Sequence, residues 1–381
     1  MTQPVSIVIP NWNGAHLLDQ FMPSVIAAAR HYDRRNHTRS EIIVVDDAST
    51  DESIKWLIEA GFIDVGREPQ SLPAEQESNA KAESGENRGP AMRFIGNPVN
   101  NGFGPACNQG VSAASNRLVF LLNNDVEVSE PAIEPLVENF KDPSVFAAHC
   151  RVFDFTTRRE CGSGKLGGFS RGFLRVHRSY AVIAEPAAAS RLAGLISMFA
   201  GGGSAMFDRE KFMEIGAFDP IFRPFYWEDV ELSYRAWKRG YTVKYEPRSI
   251  TCHMISSTIG KLDRSHTRRI QERNRLMFNW IHLHGRGMLA RNLLWVLLLG
   301  VTAPFRLRPG FLISLAAAVA KRGQIRERRS QEKQASFRSD TEVLDLFRSF
   351  ADRPDIRTFD DRKEESLAKK QRSGQSREAD L

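Results

Sequence analysis

Short, nearly continuous apolar runs alternate with helical patterns over the first 140 residues. Such runs are typical of strands buried on both faces of a parallel sheet, and the segments between them repeat apolar residues at helical spacing. The pattern predicts strands at residues 5–9, 41–45, 93–95 and 118–122 and helices at residues 17–30, 102–114 and 133–140. Strands that alternate with helices indicate an α/β fold with a doubly wound, mostly parallel sheet.

After about residue 145 the pattern becomes less regular. A glycine-rich loop at residues 201–203 leads into an apolar strand, and a helix with acidic residues in its first turns begins near residue 228. Residues 67–91 are rich in Glu, Ser, Asn, Gly and Pro, which predicts a flexible surface insertion. We expect one catalytic unit over residues 1–265 that contains this insertion.

The apolar run at residues 118–122 ends in Asn123, Asn124 and Asp125. In open α/β sheets, ligands bind just beyond the carboxyl ends of the strands. A carboxylate at that position needs a partner for its charge, and a divalent cation supplies one. The alternative is a simple turn after the strand, because Asn and Asp are common turn residues.

Composition narrows the class of partner. The 381 residues are 41% apolar and carry a formal net charge of +7, with much of the basic excess late in the chain, which indicates an anionic partner such as a membrane surface. No zinc-finger spacing or recognition-helix signature is present, so we expect no nucleic-acid partner. The four cysteines form no CxxC pair, and no basic segment followed by a long apolar stretch opens the sequence; both features favour the cytoplasm.

Two common nucleotide-binding motifs are absent from the sequence. No GxGxxG follows the first strand and no GxxxxGK[ST] is present, which argues against a dinucleotide site and a P-loop NTPase. Instead, Asp46 follows the second strand and Asp125 follows the fourth. An early carboxylate can accept the N3 proton of uracil or thymine or bind ribose hydroxyls, and a later one can hold a metal that bridges two phosphates. This arrangement suits a nucleoside diphosphate with a leaving group, whose developing charge a metal stabilises.

Five segments resemble, in the same order, motifs of the family 2 glycosyltransferases, which are inverting enzymes with the GT-A fold. They are VSIVIPNWNG at residues 5–14, VVDDASTD at 44–51, NGFG at 101–104 with Asn108 and Gly110, LNND at 122–125, and GAFD at 216–219 followed by WED at 227–229. The resemblance covers roughly residues 4–260, and rhamnosyltransferases and galactofuranosyltransferases are the relatives it suggests. One departure is that Asn123 stands where a strict DxD motif has its first acid, which leaves Asp125 as the carboxylate ligand from this segment.

The resemblance implies a site for a UDP- or dTDP-linked sugar, in which Asp46 binds the base. The donor-binding residues that it implies are Pro10, Asn11, Asn13, Asp46, Asp47, Ser49, Asn101, Gly102, Asn108, Asn124 and Gly202. It also implies that Asp125 binds Mn²⁺ or Mg²⁺ together with His253, because many relatives have a metal-binding histidine at this distance after WED. An imidazole and a carboxylate suit these cations when diphosphate oxygens complete the ligand set. A histidine that only forms a structural hydrogen bond is the alternative for His253.

By the same resemblance, Asp229 is the general base that deprotonates an acceptor hydroxyl, a role that typically contributes about 10²- to 10⁴-fold to the rate. The alternative is a solvated acid that the helix dipole stabilises. Glu228 is the rival for the base, or it orients the acceptor or pairs with an arginine. Trp227 stacks on an acceptor sugar or packs in the core; the residues leave both open.

The last third of the chain raises the question of a membrane. Two apolar runs, at residues 293–303 and 311–320, are bracketed by basic residues, and neither reaches the roughly 20 residues that a spanning helix requires. Residues 266–323 therefore predict a helical extension, either an interfacial pair on an anionic cytoplasmic leaflet or a pair packed on the catalytic domain or in a dimer interface. Residues 324–381 are highly charged, which predicts a largely disordered tail with a short amphipathic helix at residues 342–350.

Together these features predict an inverting, metal-dependent glycosyltransferase at the inner face of the plasma membrane, acting on a glycan or a lipid-linked acceptor. Two alternatives stay open. The first is a catalytically silent relative that binds glycan or scaffolds an assembly, although the sequence retains Asp46, Asp125, Asp229 and His253 together. The second is a nucleotidyltransferase, which usually needs a cation in the loop after the first strand, and residues 11–14 contain none.

Overall fold

The computed structural model describes the chain in six segments. They are residues 3–63, 76–77, 89–182, 194–254, 263–305 and 309–360. Most of the expected insertion at residues 67–91 and the last part of the expected tail, residues 361–381, lie outside the described residues.

In these segments, the strands are β1 (Val5–Asn11), β2 (Glu41–Asp46), β3 (Gln76–Glu77), β4 (Ala91–Gly96), β5 (Leu118–Leu122), β6 (Val126–Val128), β7 (Val145–Asp154), β8 (Glu160–Gly162), β9 (Gly164–Ser170), β10 (Phe173–Val182), β11 (Ser204–Asp208), β12 (Thr242–His253) and β13 (Ile356–Phe359). The α-helices are α1 (Ala15–Asn36), α2 (Ser53–Glu59), α3 (Phe103–Ala113), α4 (Ile133–Asn139), α5 (Arg209–Glu214), α6 (Glu228–Lys238), α7 (Arg264–His282), α8 (Arg286–Thr302), α9 (Pro309–Ala320), α10 (Arg322–Ala335) and α11 (Asp340–Ala351). Every strand and helix expected in the first 140 residues is confirmed, with small differences at the ends and a longer α1.

One large sheet has the strand order β3-β4-β2-β1-β5-β11-β7-β12-β6, with β8 paired to β7. β4, β2, β1 and β5 are parallel neighbours, whereas β11 is antiparallel to both β5 and β7. β7 and β12 are again parallel. The expected doubly wound α/β fold is confirmed as a mixed sheet whose first half is parallel.

The apolar runs are explained by burial on both faces of this sheet. Along β5, Val119 and Leu121 belong to one hydrophobic cluster, whereas Leu118, Phe120 and Leu122 belong to the other. Successive strand residues point to opposite faces, so a strand with helices on both sides must be apolar at every position. Each such side chain contributes roughly 1.5–3 kcal/mol when it is fully buried.

The C-terminal segment differs from the disordered tail that its charge predicts. α10 and α11 are ordered, and β13 pairs with β10 in a second sheet, β13-β10-β9. α11 begins with a capping box, in which Ser339 and Glu342 each accept a hydrogen bond from the backbone N–H of the other. Val343 and Phe347 are buried beneath it. The charged composition hides these few apolar anchors, and the expected short helix at residues 342–350 is confirmed within α11.

The expected boundary near residue 265 does not separate α7 from the catalytic core. Met277 and Phe278 of α7 are fully buried in the same cluster as Val119 of β5. α9 packs against α7, whereas α8 exposes Leu294 and Leu297 to about two-thirds (65% and 64%). Among the helices of the described segments, none combines the length and the apolar character that crossing a membrane requires.

Candidate active site

Polar side chains meet where β1, β2 and β5 end, at one edge of the sheet. Asn11 and Asp46, the last residues of β1 and β2, are register partners, and Pro10 precedes Asn11 within β1. Asn11 Nδ2 donates to Asp46 Oδ1 at 2.9 Å, and Asn124 Nδ2 donates to Asn11 Oδ1 at 2.7 Å. The Ser49 hydroxyl and amide donate to the two carboxylate oxygens of Asp46, at 2.6 and 2.9 Å. Residues that the resemblance assigns to the donor thus form one hydrogen-bonded unit.

Asp47 holds the Asn-Gly loop in place. Its Oδ1 accepts hydrogen bonds from Asn97 Nδ2 at 2.9 Å and from the Asn101 amide at 3.0 Å, and its Oδ2 accepts one from the Gly102 amide at 2.7 Å. Gly102 has a φ of +87°, a conformation that other residues adopt only at a cost. The buried Asp47 carboxylate therefore shapes the loop, and a direct contact of Asp47 with the donor stays a prediction.

The turn after β1 is fixed by the segment after β2. The Asn13 amide donates to Ser49 Oγ at 2.8 Å, and Asn13 Oδ1 accepts from the Thr50 amide at 2.7 Å. A Cβ atom at Gly14 would lie 2.2 Å from Asn124 Nδ2, so no larger residue fits there without displacing that side chain. The turn therefore packs directly on Asn124, which follows β5.

Asp125 and His253 are brought together by strand pairing. β6 begins directly after Asp125 and runs antiparallel to β12, with Val126 opposite His253. His253 Nε2 consequently lies 3.0 Å from Asp125 Oδ1, although 128 positions separate them in the chain (253 − 125 = 128). Asp125 is buried, and His253 is partly exposed. The two predicted metal ligands therefore share one location.

This pair fits a divalent cation as an incomplete ligand set. Within the described segments, neither this location nor any other contains a group of three or more His, Cys, Asp or Glu side chains that could hold a metal ion. One carboxylate oxygen and one imidazole nitrogen leave most coordination positions to other donors, and the oxygens of a diphosphate and water suit them. Asp125 and His253 would hold such an ion jointly with a bound nucleotide.

The glycine-rich loop joins the end of β5 to the first turn of α6. The Asn123 amide donates to the Gly203 carbonyl at 3.0 Å. A Cβ atom at Gly203 would lie 2.8 Å from Asn123 Nδ2, and one at Gly201 would lie 4.0 Å from Asp229 Oδ2. The Gly202 amide hydrogen-bonds to Asp229. The glycine-rich loop therefore connects Asn123 to Asp229. The neighbouring Asn124 is connected to Asp46 through Asn11.

A family model described as Glycosyl transferase family 2 matches residues 6–67 and 74–216. The chain belongs to glycosyl transferase family 2. It is a glycosyltransferase, and its large sheet with the flanking helices has the GT-A fold, to which the C-terminal helices are added.

The curated relatives of this glycosyltransferase include two poly-β-1,6-N-acetyl-D-glucosamine synthases. The protein of Staphylococcus aureus (strain COL) is 22% identical and that of Staphylococcus epidermidis 21% identical, each over 261 residues, which are 68% of this chain and 52% of the relative. The chain thus spans about half the length of these relatives. Among solved structures, GalNAc-T7 with UDP, GalNAc and Mn²⁺ matches with a TM-score of 0.51 and 19% identity, over 74% of this chain and 48% of that one, which supports the fold.

Two neighbouring acids begin α6 of the glycosyltransferase in a water-poor setting. Burial raises the pKa of Asp229 to about 6, against amide hydrogen bonds from Val230 and Gly202 that lower it. Burial, and then the charge of Asp229, raise the pKa of Glu228 to about 8. Within the segments described, Glu228 Oε2 has no hydrogen-bond partner and no ion pair joins Glu228 to an arginine. A carboxyl group that ionises near neutral pH suits a general base.

The residues just before this acid pair are conformationally strained. Tyr226 and Trp227 have φ values of +70° and +79°, which are unfavourable for bulky side chains. The Trp227 ring packs on Phe278 of α7, with ring centroids 5.1 Å apart, so core packing accounts for at least one face of the indole. Acceptor stacking on Trp227 stays a prediction.

Sequence reasoning missed the residue that clamps this strained loop. Asn274 of α7 is fully buried, and its Nδ2 donates to the carbonyls of Phe222, Phe225 and Tyr226 at 2.7, 3.1 and 2.8 Å. An amide among the apolar residues of α7 was the only sequence signal, and it does not identify partners about 50 residues away.

Asn108 is held by the backbone of another segment, and its predicted contact with the donor stays a prediction. Its Nδ2 donates to the Phe218 carbonyl at 2.8 Å and its Oδ1 accepts from the Phe218 amide at 2.9 Å. Both polar atoms of this side chain thus pair with the GAFD segment. Asn108 therefore positions the GAFD segment relative to α3.

A second missed feature is a buried ion cluster on α6. Arg235 donates to Glu231 and also to the carbonyls of Ile215 and Ala217, which fixes the GAFD segment. Burial would raise the pKa of Glu231, but Arg235 and His282 lower it to about 2. The cluster anchors α6, and hence Asp229, to the segments on either side of it.

Proposed function

We propose that this glycosyltransferase transfers a sugar with inversion from a UDP- or dTDP-linked donor to a hydroxyl of a glycan or lipid-linked acceptor. The observation that carries the proposal is the unbroken line of contacts from Asp46 through Asn11, Asn124 and the glycine-rich loop to Asp229. It joins a nucleotide-binding edge to a carboxylate with a raised pKa. Opposite anomeric configurations in donor and product, read by NMR, test the inversion.

In the proposed reaction, the Asp229 carboxylate takes the proton of the acceptor hydroxyl. The freed oxygen attacks the anomeric carbon from the face opposite the diphosphate, and the bond from that carbon to the diphosphate oxygen breaks as the new bond forms. A divalent ion on Asp125 and His253 would supply charge stabilisation for the leaving diphosphate. Glu228, protonated at neutral pH, would orient the acceptor hydroxyl through a hydrogen bond. The family match favours this chemistry over nucleotidyl transfer.

The metal site gives a first prediction. Asp125→Asn should raise the Mn²⁺ concentration required for half-maximal turnover by at least about tenfold, because even groups behind the ligands of metal sites contribute about 10- to 100-fold. Titration of the metal-free enzyme with Mn²⁺ measures this. Glu127→Gln is the matched control, since this nearby acid pairs with Arg158 instead. An unchanged Mn²⁺ dependence of Asp125→Asn would reject the site.

The acid pair gives a second prediction, on pH. Because the base acts ionised and its pKa is raised to about 6, turnover should fall with unit slope below that pH. Glu228 titrates higher, at about 8, and is neutral when Asp229 titrates. Glu228→Gln should therefore keep the acid limb in place. If the acid limb of the pH profile moved by a full pH unit in Glu228→Gln, the assignment of that limb to Asp229 would be contradicted.

The same raised pKa values have a consequence for stability. The folded state holds these protons more tightly than the unfolded chain, so their stabilising contribution is complete in acid and is lost as pH rises through the folded pKa values. Relative to wild type, Glu228→Gln should lose less stability as pH rises from about 4.5 to about 8, and melting curves at several pH values test this.

A third prediction concerns the inner face of the plasma membrane, where we propose that the enzyme works. Leu294, Leu298 and Phe305 of the α8 region are 65%, 47% and 87% exposed, a row that suits insertion at a bilayer interface. The double variant Leu294→Asn/Leu298→Asn should bind anionic vesicles about tenfold more weakly in co-sedimentation. Leu346→Asn on α11, where Leu346 is 40% exposed, is the control. If the double variant and wild type bound the vesicles equally well, the proposed membrane contact of α8 would be contradicted.

A further inference from the structure

An apolar groove lies between α7, α8 and α9. Its volume is about 470 Å³, which is within the range of small-molecule sites. It is lined by Trp280, Leu293, Val296, Leu297, Gly300, Val301, Leu315 and Val319. No charged side chain is part of this lining. The groove thus offers a hydrocarbon surface with nothing in it to bind a polar molecule.

A cluster of four cations lies at one end of α9, formed by Arg223, Arg273, Lys321 and Arg328. Arg273 hydrogen-bonds to the Arg223 carbonyl. Burial, and then the charges of Arg273, Arg328 and Arg223, lower the pKa of Lys321. The carboxylate that acts on Lys321 is Asp219, and it pairs with Arg328. Glu327 and Glu231 also act on Arg328, so the excess of positive charge lies on Arg223, Arg273 and Lys321, and such an excess can bind an anion.

The cation cluster adjoins the groove along two helices. On α9, Val319 lines the groove and Lys321 follows two residues later. On α7, Trp280 lines the groove, and Arg273 lies seven residues earlier on the same helix face, about 10 Å away. An apolar surface that ends in cations is complementary to a hydrocarbon chain that ends in phosphate.

The cluster also adjoins the acid pair. Arg223 Nε lies 3.8 Å from the position of a Cβ atom on Gly102, whose amide binds Asp47. Arg223 begins the strained loop that leads to Asp229, and Asn274 clamps that loop from the residue next to Arg273. Arg223 and Arg273 are therefore connected to the loop that carries the acid pair.

We propose that the groove and the cation cluster together bind one phosphate-bearing lipid acceptor. Its hydrocarbon chain lies in the groove, its phosphate contacts Arg223, Arg273 and Lys321, and its terminal hydroxyl or sugar reaches Asp229. The inference rests on the proposed function and specifies its acceptor. A single amphiphile accounts for both the concave apolar surface and the excess of positive charge beside it, whereas a bare bilayer surface explains only exposed side chains such as Leu294.

Farnesyl phosphate, farnesol and inorganic phosphate are the probes that test this, by calorimetry on the full chain. Farnesyl phosphate should bind at least about tenfold more tightly than either other probe, because only it engages both parts. Arg223→Gln/Lys321→Gln should lose about tenfold for farnesyl phosphate and nothing for farnesol or for UDP with Mn²⁺. Leu297→Asn should weaken farnesol and farnesyl phosphate alike, and Arg326→Gln, an exposed cation on α10, should change nothing.

Four results would overturn the proposal. The first is equal binding of farnesyl phosphate by wild type and the double variant, and the second is inorganic phosphate that binds as tightly as farnesyl phosphate. The third is a loss of UDP affinity in the double variant as large as its loss for farnesyl phosphate. Vesicles of phosphatidylglycerol are measured as a further probe, and the fourth is a loss that is confined to them. The third would assign the cations to the donor and the fourth to a bilayer surface. Wild-type binding of UDP with Mn²⁺ is measured alongside, since its absence would count against the proposed function itself.

Discussion

Asp229→Asn is expected to lower transfer by about 10²- to 10⁴-fold, because the amide cannot accept the proton of the acceptor hydroxyl. The substitution keeps the shape of the side chain and removes a carboxylate whose charge is disfavoured by burial. The free energy of unfolding should therefore be unchanged or slightly higher at neutral pH. Nucleotide release in steady state measures transfer, and a thermal shift with UDP and Mn²⁺ measures binding, which should stay intact.

Glu210→Gln on α5 is the matched control for this substitution, since Glu210 is an exposed acid outside the cleft. It should behave as wild type in both assays. Glu228→Gln separates the two neighbouring acids, because it should retain much more turnover than Asp229→Asn. If Asp229→Asn retains wild-type turnover, or if Glu228→Gln is the variant that loses it, the base has been assigned to the wrong residue.

Asp340→Ala should destabilise the protein by about 3–5 kcal/mol, since it leaves a buried lysine without a counter-ion. Lys238 of α6 is 1% exposed at its side chain, and its Nζ lies 2.7 Å from Asp340 Oδ1. Asp340 also accepts hydrogen bonds from Tyr234 and from the amides of His284 and Gly285. The free energy of unfolding in urea measures the effect.

The double variant Lys238→Met/Asp340→Leu is the companion to this test. It removes both charges, so it should recover a large part of the stability that Asp340→Ala loses. Asp345→Ala, an exposed acid on the same helix, should cost little, because surface ion pairs contribute at most about 1 kcal/mol. A loss below about 1 kcal/mol for Asp340→Ala would mean that α11 does not anchor α6.

The parallel half of the sheet could be predicted from the sequence because its signals are local. β5 is apolar along its length and β2 is apolar between Glu41 and Asp46, and a carboxylate or amide stands at or just after the end of each strand. Parallel strands bring such ends to one edge, so the position of Asp46 and Asn124 on either side of Asn11 follows from the topology. The pairing of Asp125 with His253 needed the family resemblance, because it depends on a register between β6 and β12 that no local pattern specifies.

The parts that could not be predicted depend on distant partners. The short helix within α11 was predicted, but the charge of the tail concealed its attachment to the core, where Asp340 pairs with Lys238 on α6. Asn274 and Asn108 each bind backbone groups of the loops before α6, and a side-chain amide carries no sequence mark of which backbone it contacts. The positive φ of Trp227 is likewise set by packing on α7.

Hydrogen exchange with and without UDP and Mn²⁺ tests most directly whether one cleft unites these separated segments. We predict that the ligands slow amide exchange together in the segments around Asn11, Asp46, Asp125, Gly202 and Asp229, because binding opposes the local opening of every segment that lines the site. Protection that is confined to one of these segments, or that occurs only elsewhere in the chain, would contradict a shared nucleotide-sugar site.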